Sequence, residues 1–100
     1  MNVVNVISKV RFNSARPQRV NLEKSGGLVC DLLCLEPGQE NAGGQACAYY
    51  VIAGSGQLKT SQGKSDLVMG TLAVIDSGQA HTIVNSLEQR LICLLLSLKT

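Results

Sequence analysis

Apolar positions in this chain come in short runs, and none recurs at the spacing of a helix face. Three stretches are apolar on nearly every position: Val3 to Ile7, interrupted by Asn5, then Leu28–Leu35, and finally Arg90–Leu98. In the last stretch Ile92, Leu94, Leu96 and Leu98 point one way, while Leu91, Cys93 and Leu95 point the other. Turn formers stand between the runs at close intervals: Pro17, Gly26-Gly27, Pro37-Gly38, Gly43-Gly44, Gly54, Gly56, Gly63, Gly70 and Gly78. Such punctuation predicts short strands closed into an all-β sandwich or barrel. Strands are predicted at Val3–Ile7, Val10–Phe12, Gln18–Glu23, Leu28–Leu35, Ala46–Ala53, Gln57–Thr60, Asp66–Val68, Thr71–Asp76, His81–Asn85 and Arg90–Leu98. Ser61-Gln62-Gly63-Lys64 has the composition of a hairpin turn, and Glu40–Gln45 reads as a loop. Residues 1–100 read as a single domain.

A strand that is apolar on both faces needs cover on both. The barrel interior covers one face, and each leucine left wet on the other forfeits about 1.5–3 kcal/mol of burial. Charged residues make up only 16% of the chain, against a usual ~25%, so the surface is short of polar material. Both facts predict an interface. A second copy of the chain is the economical cover, giving a C2 homodimer through the apolar outer faces of the N-terminal and C-terminal strands.

The net charge of +2 comes from scattered basic residues, densest at Lys9, Arg11, Arg16 and Arg19. Aromatic residues are too few, at 3%, to interleave with them as stacking platforms, so nucleic-acid binding is not expected. Arg16 and Arg19 read as a solvated loop around Pro17. The start lacks a basic leader and its apolar run ends at Ser8-Lys9, unlike a signal peptide. No apolar run approaches the ~20 residues of a membrane-spanning helix, so no membrane partner and a soluble, cytoplasmic protein are expected. Cys30 and Cys34 lie on one strand about 13 Å apart, too far for a disulfide or a shared metal. With Cys93 they read as buried free thiols in a reducing compartment.

Chemistry concentrates around His81, the single histidine. It stands in the frame Gly70, Gly78, His81, Asn85. That frame resembles the second signature of the cupin superfamily, which runs glycine, five residues, proline, one residue, glycine, two residues, histidine, three residues, asparagine. Asp76 occupies the proline position. Upstream, Pro37-Gly38-Gln39-Glu40 resembles the opening of the first cupin signature, and Tyr50-Val51-Ile52-Ala53-Gly54-Ser55-Gly56 its close. The resemblance spans Pro37 to Asn85 and implies a single-domain, all-β cupin-type barrel of jelly-roll topology, dimeric, with a pocket inside. It further implies a divalent metal held by two histidines and a glutamate of the first signature and one histidine of the second.

The chain departs from the family at those ligands. Asn41 and Gly43 fall near the two histidine positions, and Cys47 falls near the glutamate. One histidine per chain cannot build a three-histidine site, and amide side chains are weak substitutes for imidazole. No cofactor is therefore expected. The pocket is assigned His81, Cys47, Tyr49, Gln45 and Asn85, and no residue is assigned a catalytic role. If Cys47 points inward, so does Tyr49, while Tyr50 packs outside. The expected function is that of a non-catalytic, degenerate cupin-fold homodimer binding a small molecule in the barrel. The alternative is a metal-dependent enzyme of dioxygenase or isomerase type, with a divalent metal on His81, Cys47 and Glu40, and a third reading is a structural or regulatory protein whose barrel is filled by its own side chains. Gly70 and Gly78 are expected in left-handed turn conformations, with Asp76 supplying turn contacts where proline is missing.

Overall fold

The computed structural model describes residues 1–86 and 88–99. Two antiparallel sheets account for all its strands. Their elements are β1 (Gln18–Ser25), β2 (Leu28–Leu35), β3 (Glu40–Gly43), β4 (Cys47–Ala53), β5 (Gly56–Thr60), β6 (Gly63–Leu67), β7 (Leu72–Ile75), β8 (His81–Val84) and β9 (Leu91–Leu98). One sheet runs β1-β2-β9-β4-β7, and the other runs β3-β8-β5-β6. Among the described residues no helix is long and apolar enough to cross a membrane.

The doubly apolar runs sit at the centre of the larger sheet. β2 and β9 pair along their whole length, from Leu28 opposite Leu98 to Leu35 opposite Leu91. Their inward residues Leu33, Leu35, Leu91, Cys93 and Leu95 meet Tyr49 and Val51 of β4. Leu58, Leu67, Ile75 and Ile83 complete the core. At Gly54 the chain leaves β4 with a φ of +80°, and a Cβ there would lie 2.0 Å from the Arg90 carbonyl oxygen. Only glycine satisfies both the conformation and the contact.

The N-terminal segment differs from expectation. Residues Val3–Ile7 and Val10–Phe12 form no strand, and the segment instead carries a 3-10 turn over Ile7–Lys9. Side chains compete there with any ladder. The Asn5 carboxamide oxygen accepts the Ser8 backbone N–H at 3.2 Å, and Asn13 likewise accepts from Ala15 at 2.8 Å. The segment still acts as cover. The Arg11 backbone reaches the Cys34 thiol, Phe12 stacks under the Arg90 guanidinium at 4.4 Å, and the Asn13 carbonyl accepts a bond from Gln39. Leu32 and Cys34, on the outer face of β2, are fully buried.

That cover stops short of the rest of the outer face. Leu28, Tyr50, Leu72, Val74 and Leu98 remain exposed, up to 72% for Leu98. The apolar outer surface therefore belongs to β2, β4, β7 and β9, and not to an N-terminal strand. Glu40–Gln45, expected as a loop, contributes β3 through its first four residues. Its partner β8 supplies the hydrogen bonds, with Gly43 opposite His81 and Glu40 opposite Val84. Glu40-Asn41-Ala42-Gly43 has no apolar alternation, so periodicity gives no sign of a strand there.

Candidate functional site

A cleft of ≈ 340 Å³ opens between the two sheets. Its wall is built from β1 (Arg19), β3 and the residues after it (Asn41 to Gln45), β4 (Cys47 and Tyr49), β8 (His81) and β9 (Leu95 and Ser97). Strand alternation sets the β4 contribution. Cys47 and Tyr49 face inward, and Tyr49 is 2% exposed while Tyr50 on the opposite face is 43% exposed.

His81 opens β8 and is 4% exposed. Its Nδ1 lies 3.2 Å from the Gln79 carbonyl oxygen, which can only accept. Nδ1 therefore carries the proton, and Nε2 is left as the acceptor. The Tyr49 hydroxyl sits 2.7 Å from Nε2 and donates to it. The two rings meet edge to face, with centroids 5.5 Å apart. On the other side lies Gly43, where an added Cβ would come to 3.1 Å from Cε1 and 3.2 Å from Nε2, so a side chain there would crowd the imidazole. Both ring nitrogens are thus committed.

The neighbouring acids hold their protons. Burial pushes the Tyr49 hydroxyl well above the ordinary phenol range, and the adjacent Cys47 adds to the rise. Burial also raises the Cys47 thiol, against smaller lowering effects from the Tyr49 hydroxyl and the Arg19 charge. Cys47 is thus a protonated thiol at neutral pH and a poor nucleophile. Nothing in this arrangement activates it.

Of the sequence-assigned pocket residues, the structure brings together His81, Cys47, Tyr49 and Gln45. Asn85 lies elsewhere. Its side-chain nitrogen donates to the carbonyls of Leu35 and Gln89 at 3.1 and 2.7 Å. Its backbone N–H donates to the Gln39 carbonyl, and its own carbonyl accepts from Gly38. Asn85 therefore clamps the Pro37-Gly38 turn to the end of β8. Glu40 sits at the far end of β3, three residues and about 10 Å from Gly43, and does not line the cleft. Gly70 and Gly78 take φ values of +89° and +80°, as expected of them. Asp76 accepts the Gln79 backbone N–H through its carbonyl, closing the turn before His81.

Sequence reasoning missed Arg19, which it placed in a solvated loop. The guanidinium Nε donates to Asp31 Oδ2 at 2.7 Å, and Asn21 donates to the other carboxylate oxygen at 2.8 Å. A signal was present. Asp31 interrupts an otherwise apolar strand, and a hairpin turning at Gly26-Gly27 carries Asn21 opposite it, with Arg19 two residues further along β1. A buried carboxylate needs such partners.

The order of strands, with two antiparallel sheets facing across a common interior and a site at the first residue of β8, defines a double-stranded β-helix barrel. The chain has the cupin fold. It is similar in structure to the TT1209 protein of Thermus thermophilus, with a TM-score of 0.92 and 19% identity over 99% of this chain and 98% of that one. An uncharacterized conserved protein with a double-stranded β-helix domain from Klebsiella pneumoniae subsp. pneumoniae gives a TM-score of 0.84 and 21% identity, over 100% and 98% of the two chains. A cupin superfamily protein from Desulfitobacterium hafniense gives 0.83 and 16%, over 99% and 92%. No family model matches the sequence, and no curated protein matches it significantly.

The metal implied by the cupin resemblance does not suit these residues. Among the described residues no three His, Cys, Asp or Glu side chains converge. The imidazole lone pair is spent on Tyr49, Gly43 across from it offers no side chain, and among the described residues Cys47 is the one other His, Cys, Asp or Glu lining the cleft. Coordination would need at least three converging donors.

Proposed function

We propose that this protein is a non-catalytic, cupin-fold homodimer that binds a small molecule in the cleft beside His81. One observation carries the reading: the Tyr49 hydroxyl, 2.7 Å from Nε2, occupies the lone pair that a metal would use. The cleft keeps a size suited to a small ligand and a wall of mixed polar and apolar groups. Support for the dimer comes from the exposed Leu28, Leu72, Val74 and Leu98 and from an apolar groove between Val74, Leu96 and Leu98 on the same outer face. A contiguous apolar patch of that kind marks an interaction surface. The four free thiols fit a reducing, cytoplasmic setting.

The test is elemental analysis after incubating the purified protein with iron, nickel, manganese and zinc salts. No metal is expected at stoichiometric level. A stoichiometric metal that is lost in His81→Ala would overturn the proposal and favour the metal-dependent alternative centred on His81.

A further inference from the structure

Arg19 is the one permanently charged side chain among the described residues lining the cleft. It is held from behind. Asp31, 5% exposed, spends one carboxylate oxygen on the Arg19 Nε and the other on Asn21. The guanidinium is therefore gripped by its Nε side, and its side chain is still 51% exposed. Its two terminal nitrogens form the free edge. The charge is felt at both Cys47 and Tyr49, which places it over the cleft.

An ion pair with one partner half exposed contributes little to fold stability. What Asp31 and Asn21 add is orientation. A guanidinium fixed at one side presents a planar pair of N–H donors, and that fork matches a carboxylate. Asp31 also cancels the formal charge of Arg19, so a monoanion suits the site better than a dianion. The remaining wall, with Leu95 beside Asn41, Gln45 and Ser97, is neutral and small.

We propose that the cleft takes a small organic monocarboxylate, its carboxylate on the terminal-nitrogen edge of Arg19 and its remainder over Leu95 toward Asn41 and Gln45. The inference rests on the small-molecule reading of the cleft and names its ligand class.

The experiment titrates the full chain with acetate, glycolate and pyruvate, with acetamide and glycolamide as neutral matches, and with inorganic phosphate. Amide and guanidinium NMR resonances and the melting temperature report binding. At least one carboxylate is expected to shift the Arg19 Nε and the Gly43 and Ser97 amide signals, and to bind about tenfold tighter than its amide match. Arg19→Lys keeps the charge but loses the fork, and is expected to lose that preference. Arg19→Gln with Asp31→Asn replaces the ion pair by an amide pair, so that no unpaired charge is buried. That variant is expected to stay folded by circular dichroism and to bind acids and amides alike. Equal binding of acid and amide by the wild-type protein overturns the inference, as does an acid preference that survives the double substitution, or phosphate binding tighter than every carboxylate. Amides that bind in the cleft as well as acids sink the monocarboxylate while sparing the small-molecule reading. Silence of every probe at the cleft sinks both.

Discussion

Tyr49→Phe removes a single oxygen and keeps the ring. The phenylalanine fills the same volume in the core, so packing is nearly unchanged. What is lost is the bond to His81 Nε2 at 2.7 Å. With Nδ1 held at the Gln79 carbonyl, the described residues offer Nε2 no hydrogen-bond donor other than Tyr49. An acceptor left unpaired at such a site costs about 1–3 kcal/mol. For a chain of 100 residues each kcal/mol moves the melting temperature by about 4–8 °C, so a fall of about 5–20 °C is expected. Water reaching Nε2 through the cleft would bring the effect toward the lower end. Thermal and urea unfolding followed by circular dichroism measure it. Adding His81→Leu to Tyr49→Phe removes the orphaned acceptor as well, and is expected to recover most of the loss. A Tyr49→Phe protein that melts within about 2 °C of the parent, with no recovery in the double variant, would show that the bond is not made in solution. The closed imidazole would then be an incorrect reading.

Other expectations follow from other parts of the fold. Gly54→Ala forces a Cβ to 2.0 Å from the Arg90 carbonyl in a left-handed conformation, so the Gly54 turn must rearrange, and a loss of more than about 3 kcal/mol is expected in urea unfolding. Burial pushes the Cys93 thiol from 9.0 up to about 12. The unfolded chain therefore releases this proton first as pH climbs past 9, and this thiol alone should lower stability by about 1.4 kcal/mol per pH unit between roughly 9 and 12, beside the other raised groups Cys34, Cys47 and Tyr49. Cys93→Ala should remove about that share of the slope in unfolding curves taken across the range. Leu72→Lys with Val74→Lys, both on the outward face of β7, should shift sedimentation from dimer to monomer at micromolar concentration while leaving the melting of the monomer fold in place. A parent chain that sediments as a monomer would refute the outer-face argument outright.

The larger sheet was legible because its chemistry is repetitive. Leu28–Leu35 and Arg90–Leu98 are apolar on both faces, and only central strands with cover on both sides accept that pattern. The site was legible where a local spacing carries it: the glycine turns before His81 and the alternation that turns Cys47 and Tyr49 inward. Elsewhere the signal was not local. β3 is a strand only because β8 lends it hydrogen bonds, and nothing in its own four residues says so. The N-terminal valines look like a strand until Asn5 and Asn13 turn their side chains on the backbone. Arg19 belongs to the cleft through register across a hairpin, which a reading of neighbours along the chain does not reveal. Asn85 fits the histidine frame by spacing, yet it lies past the end of β8, where its amide holds a turn rather than a ligand.

The relation between Tyr49 and the absent ligands can itself be tested by rebuilding. Asn41 and Gly43 stand two residues apart on β3, with Gly43 directly across from His81, and Cys47 faces the same cleft from β4. Asn41→His, Gly43→His and Cys47→Glu together supply the three donors whose absence the cleft displays. They do not free the fourth. A side chain at Gly43 must displace the imidazole by a few tenths of an ångström, and the Tyr49 hydroxyl holds that ring in place and occupies its lone pair. A metal must therefore break that hydrogen bond before it can use Nε2. The triple variant should bind zinc or nickel about fivefold to tenfold more tightly when Tyr49→Phe is added, the equivalent of about 1–1.4 kcal/mol for the bond no longer in competition. Competition titration against a chromophoric chelator measures the difference directly. Equal affinity with and without the hydroxyl would mean that Tyr49 is a bystander, and that the missing donors alone separate this barrel from a metal-binding one.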